Sequence, residues 1–244
     1  MLLQNRIDCK DVLNPTPVQL AATRRLYEST LGADERIPWA WLERSVRGKA
    51  FAARGSWAKH LILATPSGEP DVVAGYLFGT FMPGFAGYVS YMGVDDCYRG
   101  MGIGTTLYET AFAVFQRDAA LVDESLPFVL WESRPPDHGA EQEVWIARAK
   151  LFDKLGGFWA EGLDIWAPNY EVEYEPLPYQ LFVKPIATPA EEFSPGRIRR
   201  IVHDHYRRVY KQRPGDELYA RTLAHRPRPR LRPARMAARL LELV

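Results

Sequence analysis

Cysteine is scarce: the chain holds two, Cys9 and Cys97, in 244 residues. A disulfide framework needs more, and no Cys/His run has zinc-ligand spacing, so neither staples nor a structural metal are expected, and a reducing, cytoplasmic compartment is the natural one. Long apolar runs are also missing. No stretch reaches eighteen uncharged apolar residues, which excludes a membrane-spanning helix. The opening Met1-Leu2-Leu3-Gln4-Asn5-Arg6 meets Asp8, Lys10 and Asp11 before a seven-residue apolar run develops, which argues against a secretory leader. A third absence concerns the glycine cluster Arg99-Gly100-Met101-Gly102-Ile103-Gly104. A Walker loop continues with Lys and Ser/Thr, whereas here Thr105-Thr106 follows Gly104, which excludes the usual nucleoside triphosphatase. A dinucleotide fold needs Gly-x-Gly-x-x-Gly after the first strand of a parallel sheet; here the third glycine comes one residue early.

What is present is the composition of a globular protein, 47% hydrophobic and 25% charged, in a chain long enough to bury about 70–75% of its unfolded surface. The net charge of +1 conceals a split. Residues 1–196 hold 17 Lys+Arg against 26 Asp+Glu, a net −9, and residues 197–244 hold 14 against 4, a net +10. A basic tail on an acidic body can bind nucleic acid, bind an acidic partner or fold back on its own body. The tail lacks interleaved aromatics after Tyr219, which favours docking on the body over nucleic acid.

Periodicity gives the order of elements. Arg6–Leu13 reads as a strand, Val18–Leu31 as a helix burying Leu20, Leu26 and Tyr27, and Pro38–Val46 as a second helix with Pro38 at its first position. His60–Ala64, Val72–Phe78 and Gly87–Val94 read as an antiparallel meander. The glycine cluster then opens a long helix with Ile103, Leu107, Ala111, Val114 and Phe115 inward. Leu126–Trp131 reads as a buried strand and Glu141–Leu155 as a helix with Val144, Ala147, Leu151 and Leu155 inward, ended by Gly156-Gly157. Phe158–Ile165 and Leu177–Lys184 complete the strands. Ser194–Lys211 is an amphipathic helix with Ile198, Ile201, Val202, His205 and Val209 on one side. His225–Pro233 alternates Arg with Pro and is expected to be extended. His203 and His205, two apart on a helix, face different ways and do not chelate a metal together.

A strand that runs into consecutive free amides at a helix N-terminus is an anion site, because those N–H groups lack carbonyl partners and the helix dipole places about half a positive charge there. Glycines let a phosphate approach, and Arg99 adds a formal charge.

The segment Val94-Asp95-Asp96-Cys97-Tyr98-Arg99-Gly100-Met101-Gly102-Ile103-Gly104-Thr105-Thr106-Leu107 resembles the coenzyme A motif of the GNAT superfamily of N-acyltransferases, Arg/Gln-x-x-Gly-x-Gly/Ala after a strand ending in Val. Ala149-Lys150-Leu151-Phe152-Asp153-Lys154-Leu155-Gly156-Gly157-Phe158 resembles that family's later helix, which commonly ends in Tyr-x-x-x-Gly-Phe. The resemblance spans residues 1–188 and implies a mixed α/β (α+β) GNAT fold: a mostly antiparallel mixed central sheet flanked by helices. Residues 189–244 then form a C-terminal helical basic extension.

The resemblance implies acetyl-CoA as cosubstrate, with the pantetheine arm bonded by the backbone of Met92, Gly93 and Val94. The pyrophosphate would lie on the amides of Arg99, Gly100, Met101, Gly102, Ile103, Gly104 and Thr105. It implies direct attack of an amine on the thioester, without a covalent enzyme intermediate. A base must take the ammonium proton, an acid must protonate the thiolate, and an amide of the cofactor strand must stabilise the oxyanion. Phe152 stands where family members often carry the acidic Tyr, which leaves Tyr98 and Tyr91 as candidates. Glu132, at the carboxyl end of the strand facing the cofactor strand, is the candidate base, ahead of Asp95 and Asp96. Trp145 and Arg148 replace the family's usual Asn and Ala contacts.

The acceptor pocket implied by the fold is bounded by the first two helices, with Trp39 and Trp41, and by the loop holding Tyr170, Glu171, Glu173, Tyr174 and Glu175, whose carboxylates can attract a cationic amine. The expected function is acetylation of a small-molecule primary amine. The alternatives are a coenzyme A-binding module with little catalysis, or acetylation of a protein lysine or N-terminus; a homodimer is left open.

Overall fold

The computed structural model describes residues 6–47, 56–136, 142–223, 225 and 227–242. The expected helix start at Glu141 lies outside them. The chain divides into two compact units, Met1–Leu126 and Pro127–Val244.

The first unit opens with β1 (Ile7–Asp11) and α1 (Pro17–Thr30). Thr16 caps α1 by accepting the Gln19 amide, while the Gln19 side chain returns to the Thr16 amide, a capping box that fixes the start of the helix. Leu20, Leu26 and Tyr27 are buried as the periodicity predicts. In α2 (Trp39–Val46), Pro38 is the N-cap rather than the first helical residue. The meander follows as β2 (Ala58–Pro66), β3 (Gly75–Met82) and β4 (Ala86–Val94), and the sheet order within this unit is β1-β2-β3-β4, antiparallel throughout. β3 starts three residues later than the apolar run suggests, because turn hydrogen bonds claim the chain up to Val72.

α3 (Ile103–Leu121) lies on this sheet with all five predicted core residues buried. It lies close because Gly79 and Gly87 have no side chains: a Cβ at either would come within 2.6 or 2.4 Å of the Phe115 ring. At its far end Asp118 reaches His60 on β2. His60 is held on both sides, Nδ1 3.0 Å from Asp11 and Nε2 2.8 Å from Asp118, and Arg117 closes the group on Asp118 at 2.9 Å.

The second unit contains β5 (Phe128–Ser133), α4 (Gln142–Lys154), β6 (Phe158–Ala167), β7 (Leu177–Pro185), α5 (Pro195–His205), α6 (Glu217–Leu223) and β8 (Arg230–Pro233). Its strands run β5-β7-β6-β8, again antiparallel. β5 sits two residues later than expected, so Glu132 lies inside the strand opposite Leu181 rather than beyond its end. Helices on sheets in both units make the mixed, mostly antiparallel α/β architecture that the sequence predicts.

Two expectations are corrected here. α4 buries Trp145, Ala149 and Phe152, and Leu155 just beyond it is buried as expected, whereas Val144 and Ala147 are exposed and Leu151 is half-buried. The large rings win the inward face: Phe152 packs on Phe182 at 4.7 Å and on Trp131 at 5.3 Å. α5 stops at His205 and passes into a π-helical turn, Tyr206–Tyr210, that ends on Lys211 in the left-handed region (φ 59°). Tyr206 therefore takes the buried place expected of Val209, and its hydroxyl reaches the Trp166 carbonyl and Thr222. The Arg-Pro segment ends in a strand, β8, and stops at Pro233 as expected. β8 pairs with the outer edge of β6, and Ala234–Glu242 winds into a 3-10 helix against α4, where Trp145 Nε1 donates to the Ala237 carbonyl at 3.0 Å.

The His60 group gives a pH signature. Burial works against a charged His60, but hydrogen bonds to Asp11 and Asp118 outweigh it and raise its pKa above 6.5. Burial likewise works against the Asp118 carboxylate, and hydrogen bonds from His60 and Arg117 overcome it and lower its pKa below 3.8. The His60 contribution is present in full below pH 6.5 and is lost as pH rises through the raised value. The Asp118 contribution is present above pH 3.8 and is lost as pH falls through the depressed one. Thermal unfolding should therefore place the maximum of this contribution between those limits. Asp118→Asn should cost about 1.5–3 kcal/mol in chemical denaturation, because His60 and Arg117 lose a charged hydrogen-bond partner while Asp11 remains.

Candidate functional site

β4 is irregular where the site begins. Its register against β3 shifts between Phe78 and Gly79, leaving Ser90 as the extra residue of a bulge, with its hydroxyl donating to the Phe78 carbonyl at 3.2 Å. Beyond the bulge Met92, Gly93 and Val94 pair with Leu77, Tyr76 and Gly75. Gly93 is a packing requirement: a Cβ there would stand 2.5 Å from Thr30 Oγ1 and 2.6 Å from the Tyr76 ring, so α1 can cross the strand only over a glycine.

After Val94 the chain makes a single 3-10 turn, Asp96–Tyr98, capped by the Asp95 carboxylate on the Cys97 amide at 2.9 Å. Asp96 pairs with Arg99 at 2.7 Å, both well exposed. Asp95 and Asp96 thus shape and charge-balance the turn. The chain then passes through Gly100 (φ 79°) and Gly102 (φ 80°), both left-handed, where residues with a Cβ are strained. A Cβ on either would meet nothing within 4 Å, so both open onto free space. Gly102 is the N-cap of α3 and no side chain caps this end. The first-turn amides, Ile103, Gly104 and Thr105, have no i−4 carbonyl, and the nineteen-residue helix behind them supplies its dipole. Arg99, Gly100, Met101 and Gly102 are exposed, Gly104 and Thr105 half-buried, and Ile103 buried as the anchor. This is a lined-up set of donors for an anion, held in place by the burial of α3.

The two tyrosine candidates differ. Tyr91 joins an aromatic wall, edge-on to Tyr27 at 5.2 Å, and its hydroxyl donates to the Glu35 carbonyl at 3.3 Å. Tyr98 is half-buried immediately before Arg99. Trp39 packs on Tyr27 and Phe78, whereas Trp41 is 58% exposed. Cys97 is an exposed free thiol.

In the second unit Glu132 is 5% exposed and is gripped from the C-terminal extension. Its Oε1 accepts from His205 Nε2 at 2.9 Å and its Oε2 from the Tyr210 hydroxyl at 2.5 Å. A buried carboxylate with a donor on each oxygen is no solvated strand end. The sequence pattern marks Glu132 as a candidate but not its partners. A helix carrying His205, Tyr206 and Tyr210 held the signal, which chain separation concealed. His203 turns elsewhere, to the Tyr219 hydroxyl at 2.9 Å, so the two histidines do face apart. Phe152 is buried among rings and offers no hydroxyl. Trp145 is buried under the C-terminal 3-10 helix, and Arg148 is half-buried. The loop after β6 is an Asx turn, with Asn169 Oδ1 accepting from the Glu171 and Val172 amides. Glu171, Glu173 and Glu175 are exposed, as is Tyr174 in the left-handed region. Among the described residues no group of three or more His, Cys, Asp or Glu side chains is placed to hold a metal ion.

Residues 20–127 match the family model described as "Acetyltransferase (GNAT) family". The chain carries a GNAT acetyltransferase domain. This makes it an acyltransferase by family, and the match takes in β4, the glycine loop and α3. None of the curated proteins matches the chain. Among solved structures, the GNAT domain resembles a putative GNAT-family acetyltransferase from Bacteroides thetaiotaomicron, at a TM-score of 0.57 and 16% identity over 84% of this chain and 99% of that one. A chain of a NatC complex bound to Gag peptide and CoA aligns at a TM-score of 0.51 and 17% identity over 75% of this chain and 99% of that one. At such identities these neighbours establish the GNAT fold. Among the described residues no helix is long and apolar enough to cross a membrane.

Two glycines should separate packing from strain. Gly93→Ala should lower stability by about 1–3 kcal/mol through overpacking, whereas Gly102→Ala, with open space but a left-handed φ, should cost about 1–2 kcal/mol. Denaturant titration of both variants checks the order.

Proposed function

We propose that the protein is an N-acetyltransferase that transfers the acetyl group of acetyl-CoA to a primary amine of a small molecule. One observation carries this reading: the uncapped amides at the start of α3 follow two left-handed glycines whose missing Cβ atoms leave open space. A diphosphate fits such donors, and Arg99, though balanced by Asp96, adds a cation at the rim. The residues assigned to acetyl-CoA are Met92, Gly93 and Val94 for the arm and Arg99 through Thr105 for the pyrophosphate.

In the reaction the amine nitrogen bonds to the acetyl carbonyl carbon and the carbon–sulfur bond breaks. The amine proton passes to the Glu132 carboxylate, directly or through one water, and the departing thiolate receives a proton from Tyr98. Tyr98 is preferred to Tyr91 as the acid because the Tyr91 hydroxyl already donates to the Glu35 carbonyl and its ring is part of the aromatic wall. The acidic loop of Glu171, Glu173 and Glu175 favours a cationic acceptor. The reaction is assigned to the cytoplasm.

Acetyl-CoA at a hundredfold excess over its Kd should raise the melting temperature by roughly 5–10 °C. Gly102→Glu, which puts a carboxylate into the anion site, should abolish the rise. No shift in the wild type at saturating acetyl-CoA would defeat the proposal. A panel of spermidine, tyramine and an alanyl peptide, followed by thiol release, tests the acceptor: turnover of the peptide alone would transfer the assignment to protein N-termini. Tyr98→Phe should lower kcat about tenfold or more with little change in the KM for acetyl-CoA.

A further inference from the structure

The C-terminal extension is more than a cover for the second unit. We propose that His205 and Tyr210 are positioning residues that hold the Glu132 carboxylate in the orientation needed to take the amine proton. The inference rests on the reading of Glu132 as the base.

The geometry supports it in three independent ways. First, the two donors divide the carboxylate between them, His205 on Oε1 at 2.9 Å and Tyr210 on Oε2 at 2.5 Å. A carboxylate is planar and accepts on both oxygens, so a donor on each fixes the plane of the group. An ionised carboxylate only accepts, which assigns the His205 proton to Nε2. Second, the pair is buried, His205 at 0% and Glu132 at 5% side-chain exposure, where hydrogen bonds replace the water that burial removes. Third, the backbone departs from regular helix at this place. A π-helical turn, Tyr206–Tyr210, follows His205 directly and closes on Lys211 at φ 59°. A regular α-helix would put residues 205 and 210 about 140° apart around the axis. The wider turn brings both onto one carboxylate. π turns and left-handed non-glycine residues concentrate at functional sites, where surrounding structure sustains their cost.

The turn is itself anchored. Tyr206, between the two donors, donates to the Trp166 carbonyl at 2.8 Å, accepts from the Trp166 amide at 2.9 Å and bonds Thr222 at 2.6 Å. His205 and Tyr210 stack against each other with ring centroids 5.2 Å apart. Tyr170 and Tyr206 also sense the carboxylate: both are raised, first by burial, with the nearby Glu132 charge adding to it.

The test uses the full chain with Tyr210→Phe and His205→Gln, the second keeping a side-chain N–H. Tyr210→Phe should reduce kcat about tenfold with the KM for acetyl-CoA and the acetyl-CoA thermal shift unchanged. His205→Gln should retain more activity than His205→Ala, a rescue that a purely structural histidine would not show. Glu132→Gln separates the two readings. If it is fully active, the base assignment falls and this inference with it. If it is inactive while Tyr210→Phe and His205→Ala keep wild-type rates, the inference alone is overturned.

Discussion

Unpaired amides at the first turn of α3 are the constraint from which the site follows. Every helix starts with amides that lack a carbonyl, and most are satisfied by a Ser, Thr, Asp or Asn side chain. α1 and α5 obey, with Thr16 and Ser194 as caps. α3 has a glycine in that place and nothing to cap it. The helix tolerates this because its stability comes from elsewhere: Ile103, Leu107, Ala111, Phe112 and Phe115 are buried against strands stripped to glycine where Phe115 lies. Packing thus holds in position a set of donors that local chemistry leaves unsatisfied. A diphosphate is the kind of ligand that completes them.

The protein buries two acidic groups in contrasting ways. Asp118 and Asp11 lie on a histidine whose protonated form they favour, and Arg117 joins them, so charges cancel within a few ångströms. Such a cluster ties β1, β2 and α3 together and has no spare acceptor role. Glu132 instead accepts from a phenolic hydroxyl on one oxygen and an imidazole on the other. The difference lies in the residue types that donate to each.

The sequence was most legible where a local rule governs. Helical spacing located α1 and α3 and their buried faces, alternating runs gave the meander, and the glycine cluster fell between a strand and a helix. It misled where distant residues decide. α4 rotates its face because Trp131 and Phe182, far away in the chain, offer rings for Phe152 to pack on. α5 leaves its period at His205 because Trp166 and Thr222 supply polar partners for Tyr206. Glu132 was visible as a carboxylate near the end of an apolar strand. Its clamp was not, since 73 residues separate it from His205 and 78 from Tyr210. Nor does one chain encode the acceptor in any local pattern: Trp41 and the exposed loop carboxylates are surface, and their spacing alone does not say what they meet.

The basic tail shows why net charge is a weak guide to partners. Summed over residues 197–244 the charge is +10, the balance expected of a nucleic-acid clamp. Placed in the fold, Arg230 and Arg232 share the Glu161 carboxylate, and Arg235 reaches both oxygens of Asp153 at 3.1 and 2.9 Å. The Arg230 hydrogen bond is the first cause that holds the Glu161 pKa below the usual carboxylate range. Prolines suit this position as well. An extended Arg-Pro strand can close the exposed edge of β6, and proline is tolerated on an edge because one row of its backbone need not donate. The arginines then fix its register, Glu161 opposite Arg230, and the chain beyond Pro233 is directed onto α4, where the Ala237 carbonyl receives the Trp145 indole. Here Arg230, Arg232 and Arg235 serve to seal the chain's own sheet.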